Sequence, residues 1–474
     1  MNLSLFLPET YLSLLATALM CLTLAPKEKG GAFADRFMLI ASLGLAAVCF
    51  ISIGHSGTLF YSTYRVDLLS QGFKAVIALG ALAAVLLSAD TLSIAPKRKL
   101  EYYLFLTTAT LGMMMIASSV DLLTLYISLE LSSYSLYLLA GLRSEYKGSE
   151  AAVKYILFGA ATSGVMLWGF SLIAGLSGTT ALSGIAALAP TLSHEPAFLI
   201  GLLFATVAFL FKLSAFPAHF WAPDVYESSA TPVTAFIATA SKAAAVAVLV
   251  RFFMWLGLTP AFTAVIGVLA FISMTVGNAA ALVQRDVKRI LAYSSVAQAG
   301  YILVGLLAGS FEGYSSAFFY ALAYVVMNTG AFLCVLVVSK AVHNDNPQIQ
   351  HFDGLAERQP FLSLILLLSL LSLAGIPPLV GFTGKWILFS AAMDKGHWFL
   401  VLWGVLNSVV SLFYYLTIVK HAYLEKPKSS EKIILSAPLK AMGLILFCSL
   451  VFLGIFPNAF IEFARSAVSS AGLF

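Results

Sequence analysis

The stretch FLFKLSAFPAHFWAPDVYESSATP, residues 209–232, places a lysine inside an apolar run and then interrupts that run with a proline. Pro217 removes a backbone hydrogen-bond donor and clashes with the preceding turn, so a helix that carries Lys212 must end close to it. Within a bilayer, broken backbone survives only where protein or a water-filled cavity surrounds it. The stretch therefore predicts a discontinuous membrane helix with a buried charge beside its break.

A second stretch, LSLLSLAGIPPLVGFTGKWILFSAAMD at residues 368–394, also combines a proline break with a lysine, but here the break comes first. Gly375, Pro377 and Pro378 interrupt the apolar run, and Lys385 follows the interruption. The two broken segments are five predicted spans apart. Because five is odd, two such units in tandem have opposite orientations in the membrane, which is the inverted-repeat design of many transporters.

The composition excludes an ordinary soluble domain. Of 474 residues, 60% are hydrophobic and 10% are charged, whereas about 25% are charged in soluble domains. The net charge of +5 does not indicate nucleic-acid binding, because the lysines and arginines outside the spans lie in connecting loops. The four cysteines are far apart in apolar runs, which argues against a zinc or iron–sulfur site. We therefore expect no cofactor or metal in this chain.

Apolar runs of about 20 residues, the length of a membrane helix, predict an all-α polytopic membrane protein. The first run lacks a basic region and a cleavage site, so we interpret it as a membrane helix and not as a signal peptide. We expect fourteen spans, of which the seventh and the twelfth are discontinuous. Their predicted bounds are 4–24, 36–54, 67–88, 101–118, 121–141, 152–176, 197–216, 231–254, 261–283, 289–309, 314–340, 361–390, 398–420 and 438–461.

The basic residues of the loops predict the orientation. Loops that follow odd-numbered spans carry 19 lysines and arginines, and the opposite side carries 4. Cytoplasmic loops hold the excess of positive charge in membrane proteins. We therefore expect both termini on the non-cytoplasmic side of a bacterial cytoplasmic membrane.

Among the charged residues inside predicted spans, five are the candidates for functional buried charges: Lys74, Glu130, Lys212, Lys242 and Lys385. A charge at the centre of a bilayer costs roughly 2.5–3.5 kcal/mol on insertion scales. Ion movement is the function that best explains why a chain keeps several of them. Lys74 lies about two turns from Asp67 and is expected either to pair with it or to snorkel.

Polar residues accompany the charges at helical spacing. In span 5 one face carries a carboxylate among hydroxyls, which predicts a hydrated stripe, although a neutral structural glutamate is the alternative. His219, just beyond the first break, either relays protons or caps a helix. Uncharged polar residues of spans 10 and 11 can hold a water chain between lysines, or only join neighbouring helices. The candidates for these relay roles are Tyr134, His219, Ser294, Gln298, Tyr324 and Asn328.

Several long motifs resemble the antiporter-like subunits of respiratory complex I. They are LELSSYSLYLLAGL, FKLSAFPAHFWAPDVYESSATPV, ATASKAA, RDVKRILAYSSVAQAGY and AGIPPLVGFTGKW, and together they extend over spans 4 to 13. Among these subunits the chain is most similar to the N type, because it stops after fourteen spans and carries lysine in span 12, where the M type has glutamate. Gln298 departs from many N-type members, which have histidine there, so a titratable relay at that position is absent.

The resemblance implies a division of one membrane domain, 1–474, into four parts. It implies a coupled pair of Glu130 and Lys212, a connecting site at Lys242 and a second half-channel at Lys385. NADH, flavin, iron–sulfur clusters and quinone would be bound by other subunits, and the partners would be antiporter-like neighbours and lipid. The four parts are 1–100 with spans 1–3, 101–255 with spans 4–8 as the first inverted repeat, 256–420 with spans 9–13 as the second, and 421–474 with span 14.

Three functions remain open at this point. The first is a proton-translocating subunit of an NADH-quinone oxidoreductase, an enzyme complex whose redox centres lie elsewhere. The second is a subunit of a multisubunit sodium/proton antiporter, or of a related membrane complex that receives electrons from another donor. The third is a structural spacer whose buried charges only fix the packing of its helices.

Overall fold

Long apolar helices make up most of the structure, a computed structural model that describes residues 3–24, 31–91, 93–143, 146–257, 259–427 and 431–472. Among these residues, 13 helices are long and apolar enough to cross a membrane. The helices of the first half, long and short, are α1 (Leu7–Leu24), α2 (Gly31–Ser52), α3 (Leu68–Ala89), α4 (Lys99–Ser118), α5 (Leu122–Ala140), α6 (Tyr146–Ser177), a short α7 (Leu182–Leu192), α8 (Pro196–Leu213), a short α9 (Trp221–Ser228), α10 (Thr231–Phe236) and α11 (Lys242–Leu256). A π-helical turn (Ile237–Ser241) joins α10 to α11 without a break.

The second half of the chain also consists mainly of long apolar helices. The predicted twelfth span is split into two helices of 15 residues each, on either side of Gly375 and the two prolines. The helices are α12 (Pro260–Leu282), α13 (Val287–Leu307), α14 (Phe311–Ala341), a short α15 (Leu355–Arg358), α16 (Pro360–Ala374), α17 (Val380–Asp394), α18 (Trp398–Leu424), α19 (Ala437–Ile455) and α20 (Asn458–Ser470).

Three parts of the chain were not predicted. A hairpin of β1 (Gly57–Leu59) and β2 (Tyr64–Val66) joins α2 to α3. Helix α7 lies between the sixth and seventh spans. The fourteenth span ends at Ile455 and not at 461, because Pro457 interrupts it and a separate helix, α20, begins at Asn458.

The core of the molecule is the segment from α10 to α11, in which every residue from Thr231 to Met254 is buried. Helices α3, α13 and α14 pack around it. Gly80 of α3 lies so close to the π-helical turn that an added Cβ would be 2.9 Å from the Cβ of Ala240. By contrast, α1, α2, α18 and α19 are each only 33% buried over their apolar windows, and they form the outer layer.

Two helix crossings are built alike. Gly112 lets α4 approach α5 so closely that a Cβ would be 2.5 Å from the backbone nitrogen of Ser132. Gly277 allows an equally close approach of α12 to α13, because a Cβ added there would be 2.5 Å from the backbone nitrogen of Ala297. Both residues of the second pair lie 165 positions after those of the first. The aspartates that cap α5 and α13, at positions 121 and 286, have the same offset.

Candidate functional site: buried lysines at two broken helices

The first break follows Lys212. Helix α8 ends at Leu213, and Ser214 adopts the left-handed conformation with φ 62°. The last carbonyls of a helix have no partner within it, and here the Phe211 carbonyl accepts a hydrogen bond of 3.1 Å from the indole nitrogen of Trp221. The helix therefore ends about a turn before Pro217, with its last turn held by α9.

Lys212 is buried and its ammonium Nζ donates to the hydroxyl of Ser132 on α5 at 2.6 Å. No ion pair within 4.0 Å joins Lys212 to Glu130 among the described residues, so the two are not in direct contact here, and their coupling stays a prediction. Ser132 follows Glu130 by two positions on the same helix. A hydroxyl both accepts and donates, so Ser132 is placed to hand a proton to or from the lysine.

The polar stripe of α5 is only partly enclosed by this chain. Glu130 and Tyr126 are half-buried, Tyr134 is 56% exposed, and Tyr137 is buried. Part of this stripe therefore lies at the surface of the single chain. Glu130 lies at the boundary of the subunit and Lys212 lies inside it.

Lys242 approaches the same broken end from α11. Its Nζ donates to the backbone carbonyl of Lys212 at 3.2 Å and to the hydroxyl of Ser214, and it lies 5.3 Å from the centre of the Trp221 ring. A cation is favoured at a helix C-terminus because the aligned peptide dipoles leave negative charge there. The hydroxyl of Thr234 on α10 donates to the carbonyls of Tyr226 and Ala230.

The second break is built in the same way. Helix α16 ends at Ala374, and Gly375 adopts the left-handed conformation with φ 91°. Lys385 donates to the carbonyl of Leu373 at 2.9 Å and to that of Ala374 at 3.0 Å. Its third donor reaches Ser408 of α18 at 3.0 Å. Each discontinuous helix therefore has a lysine ammonium on its exposed C-terminal carbonyls.

Gln298 connects the second break to the interior. Its amide nitrogen donates to the Leu373 carbonyl at 2.9 Å, the same carbonyl that Lys385 contacts, and its oxygen accepts from the hydroxyl of Tyr320. Lys385 also lies 4.5 Å from the centre of the Tyr301 ring. Gln298 and Lys385 therefore share the exposed C-terminal end of α16.

The other predicted relay residues are less connected. Ser294 bonds to the hydroxyl of Tyr415 at 2.5 Å, and Asn328 donates to the backbone carbonyl of Tyr324 at 3.1 Å. The hydroxyl of Tyr324 is buried and has no hydrogen-bond partner among the described residues. The Nδ1 atom of buried His219 is also without a partner, and its ring lies 4.4 Å from that of Phe220.

Lys74 does not pair with Asp67, and it does not snorkel, so both predictions for it are wrong. It is fully buried and lies 2.8 Å from the carboxylate of Glu9 on α1. Asp67 instead holds both terminal nitrogens of Arg251, at 2.8 and 3.0 Å. A signal was present in the sequence, because Glu9 is a carboxylate inside the first predicted span.

Among the described residues no group of three or more histidines, cysteines, aspartates and glutamates could hold a metal ion. The charged groups of the site are amines, which bind protons, and the carboxylate of Glu130. The chemistry available to this arrangement is therefore proton transfer between nitrogen and oxygen atoms.

Comparison with known proteins gives one family over most of the chain. Residues 119–411 match the model described as the transmembrane family NADH:quinone oxidoreductase/Mrp antiporter. NADH-quinone oxidoreductase subunit N 2 of Syntrophobacter fumaroxidans is 46% identical over 436 residues, which cover 91% of this chain and 92% of the relative.

Two solved structures have the same fold. A chain of respiratory complex I from Thermus thermophilus, solved with bound aureothin, has a TM-score of 0.84 and 32% identity over 97% of this chain and 99% of its own length. A chain of the Mrp complex from a Dietzia species has a TM-score of 0.85 over 99% of this chain and 97% of its own. Its identity of 20% shows a shared fold and nothing more.

Proposed function

This chain belongs to the family of NADH-quinone oxidoreductase subunit N, the antiporter-like membrane subunits of respiratory complex I, and from that membership we propose that it carries protons across the membrane while quinone is reduced elsewhere in the complex. NADH, flavin, iron–sulfur clusters and quinone would then be bound by other subunits. Its neighbours in the complex would be further antiporter-like membrane subunits.

The proposed path runs from Glu130 through Lys212 and Lys242 to Lys385. The observation that carries it is that Lys212 and Lys242 share one broken helix end, since the ammonium of Lys242 donates to the carbonyl of Lys212. Like charges repel more strongly in a medium of low dielectric constant than in water. A proton gained by one lysine therefore disfavours a proton on the other, which couples their charge states.

Glu130 is the proposed input for this coupling. It lies at the boundary of the chain, where a charge change in a neighbouring subunit can reach it, and it is two residues from the Ser132 partner of Lys212. Moving one charge against 100 mV requires about 2.3 kcal/mol. One pKa unit corresponds to about 1.36 kcal/mol, so swings of about two units at each site supply the required energy.

The second half of the path passes Gln298 and ends at Lys385. The shared carbonyl of Leu373 joins these two side chains. We propose that polar side chains hold water along the whole route: Tyr134 and His219 in the first half, and Ser294, Tyr320, Tyr324 and Asn328 in the second. Gln298 would orient this water by hydrogen bonds without changing its own protonation. Because a carboxamide does not ionise, Gln298 cannot take up the proton itself, and Lys385 is the proposed site of protonation in this half.

We also propose that 101–255 and 256–420 are inverted repeats. The offset of 165 residues between Gly112 and Gly277, and between the capping aspartates, supports this division. The same offset sets Glu130 against Ser295 and Ser133 against Gln298. The carboxylate of the first repeat therefore has no counterpart in the second, which supports an input only in the first half.

The central experiment replaces Lys212 or Glu130 by alanine in the intact complex. We expect proton pumping in membrane vesicles to fall strongly in both variants, while a matched change at exposed Lys420 leaves it unchanged. Electron transfer to quinone and the subunit content are measured in the same membranes. Normal pumping in fully assembled Lys212→Ala and Glu130→Ala complexes would contradict the proposal.

The antiporter alternative is tested in the same vesicles. A sodium/proton antiporter subunit would make pumping depend on a sodium gradient and not on electron transfer. The relatives at up to 46% identity are dehydrogenase subunits, and they support the first function over this one. A spacer would leave pumping normal in both charge variants.

The orientation is a further proposal. We place the loops that hold 19 basic residues in the cytoplasm, and therefore the hairpin and helix α20 on the opposite side of a bacterial cytoplasmic membrane. Met1, Asn2, Leu473 and Phe474 lie outside the described residues. A cysteine introduced at fully exposed Tyr61 is expected to react with an impermeant thiol reagent added to intact cells; reaction only in inverted vesicles would reverse the assignment.

A further inference from the structure

A second set of buried charges lies away from the proposed path, among the three N-terminal helices. Glu9 and Lys74 are both fully buried and 2.8 Å apart. The hydroxyl of Tyr64 donates to the same carboxylate oxygen of Glu9 at 2.7 Å. The Lys74 ammonium also lies 5.4 Å from the centre of the Tyr64 ring. These three side chains, on α1, α3 and β2, are called the Glu9 cluster below.

Several buried polar atoms in the Glu9 cluster and beside it have no hydrogen-bond partner from the protein among the described residues. The second carboxylate oxygen of Glu9, both amide atoms of Gln71 and the hydroxyl of Ser118 are buried and without a hydrogen-bond partner among the described residues. Buried polar groups in proteins almost always have a partner, either protein or ordered water. A group of such atoms in one place therefore indicates that water enters there.

A polar face of α3 leads from the cluster toward the hairpin. Asp67, Gln71 and Lys74 fall at i, i+4 and i+7, which places them on one side of the helix. Asp67 begins this face, where it pairs with buried Arg251 and lies 3.4 Å from Arg65. The side chain of Arg65 is 27% exposed, so the polar face reaches the surface at the hairpin.

We propose that the Glu9 cluster is a separate proton-binding site, connected to water at the hairpin surface by the polar face of α3. The ligand is a proton delivered by water. With one proton on the pair, Lys74 is charged and Glu9 is a carboxylate, or the proton moves along the 2.8 Å contact and both are neutral. A second proton gives neutral Glu9 beside charged Lys74.

The charged and titratable groups that surround the pair are few. Tyr64 bonds to Glu9, and the thiol of Cys49 on α2 lies 4.0 Å from the backbone carbonyl of Lys74. The Asp67–Arg251 pair lies nearly two turns away on the face that leads out. The proposed exchange of protons with water therefore passes the Gln71 level of this face and then the buried Asp67–Arg251 pair.

The first test asks whether water reaches the polar face of α3. Gln71→Cys is made in the intact complex with the four native cysteines replaced by serine, and a small water-soluble thiol reagent is added from the hairpin side. Thiol reactivity requires access to the reagent, and we expect a rate at least about tenfold faster than for Ala81→Cys, a buried position deeper in the same helix. Equal, slow rates at the two positions would overturn the proposal.

The second test separates proton binding from a structural ion pair. Lys74→Gln alone leaves a buried carboxylate unpaired and is expected to reduce assembly, and Glu9→Gln/Lys74→Gln is expected to restore it. If the pair only holds helices together, the restored complex pumps as the original does, which contradicts the proposal. We expect instead that the assembled double variant pumps fewer protons for each electron pair transferred.

The inference rests on the proposed function only through this second test. The thiol reactivity of Gln71→Cys does not depend on pumping. If Lys212→Ala pumps normally while Gln71→Cys reacts rapidly, the proposed path is wrong and the hydrated site remains. If the reverse holds, the path remains and the Glu9 cluster is a dry ion pair.

Discussion

At the scale of single residues, every buried lysine of the proposed path meets a helix end or a hydroxyl. Lys212 donates to a serine, while Lys242 and Lys385 donate to carbonyls that a broken helix leaves without partners. Neutral oxygen partners stabilise an ammonium, yet the neutral amine stays accessible at a modest free-energy cost. A carboxylate partner would favour the charged form much more strongly. The geometry therefore suits groups that change protonation.

The Asp67–Arg251 pair is different, because both partners are charged, buried and joined by two hydrogen bonds. Removing one partner leaves an uncompensated charge, which destabilises proteins by about 3–5 kcal/mol. We expect Asp67→Asn to lower the thermal unfolding midpoint of the purified complex strongly. The combined change Asp67→Asn/Arg251→Gln is expected to recover part of the loss.

The control for this prediction is the exposed pair of Glu312 and Arg465, whose side chains are about half exposed. Such pairs contribute about 0–1 kcal/mol. Glu312→Gln is therefore expected to leave the unfolding midpoint nearly unchanged. A loss in Glu312→Gln as large as that in Asp67→Asn would show that burial does not decide the effect.

At the scale of elements, the crossing of α4 and α5 positions Ser132 for Lys212. Gly112 is the residue that permits it, because any side chain there would meet the backbone of α5. The breaks at Ser214 and Gly375 then expose the carbonyls that Lys242 and Lys385 bind. Helix packing and helix termination, rather than loops, thus build the site.

Gly112→Ala tests this crossing. Its Cβ would lie 2.5 Å from the backbone nitrogen of Ser132, so the two helices must separate, and overpacking of this kind costs about 1–3 kcal/mol. We expect a lower unfolding midpoint and, since Ser132 moves from Lys212, weaker proton pumping in vesicles.

Gly164→Ala on α6 is the matched control, because nothing lies within 4 Å of its added Cβ. Alanine is favoured over glycine in a helix by about 0.8–1.0 kcal/mol, so this variant should be at least as stable as the original. If Gly164→Ala is as damaging as Gly112→Ala, close approach is not the cause.

At the scale of the whole molecule, distant parts of the sequence meet at the end of α3. Asp90 forms an ion pair of 2.7 Å with Lys340 and accepts a hydrogen bond of 2.5 Å from Ser436. Burial raises the pKa of Asp90, but the bonds from Lys340 and Ser436 outweigh burial and hold the pKa below its ordinary value of 3.8. The contact joins α3, α14 and the start of α19.

The lowered pKa gives a pH dependence with a definite sign. Charged Asp90 stabilises the fold at all pH values above 3.8, and the stabilisation is lost as pH falls below that value. We expect Asp90→Asn to be less stable than the original at neutral pH, and the difference between their unfolding midpoints to shrink on acidification. A difference that stays constant to the lowest measurable pH would show that Asp90 contributes by packing and not by charge.

Much of this could be predicted from the sequence, because membrane helices and their breaks have strong local signals. The apolar runs gave the spans, and the prolines and Gly375 located both discontinuities. The Glu9–Lys74 pair could not be predicted with the same ease, because it joins residues 65 positions apart whose contact depends on how α1 packs on α3. The partner of Lys212 was missed because the predicted polar stripe of α5 contains Glu130, and Ser132, two residues later, lies on nearly the opposite side of that helix.

The enclosed segment from Thr231 to Met254 has a consequence for biosynthesis. It carries Lys242 and Arg251, and their acceptors are Lys212, Ser214, Asp67 and Ala117. All four acceptors precede the segment in the chain, so the ribosome makes them first. Each charge can therefore find its acceptor as the segment enters the membrane, and the helices made afterwards, α13 and α14, close around charged groups that already have hydrogen-bond acceptors.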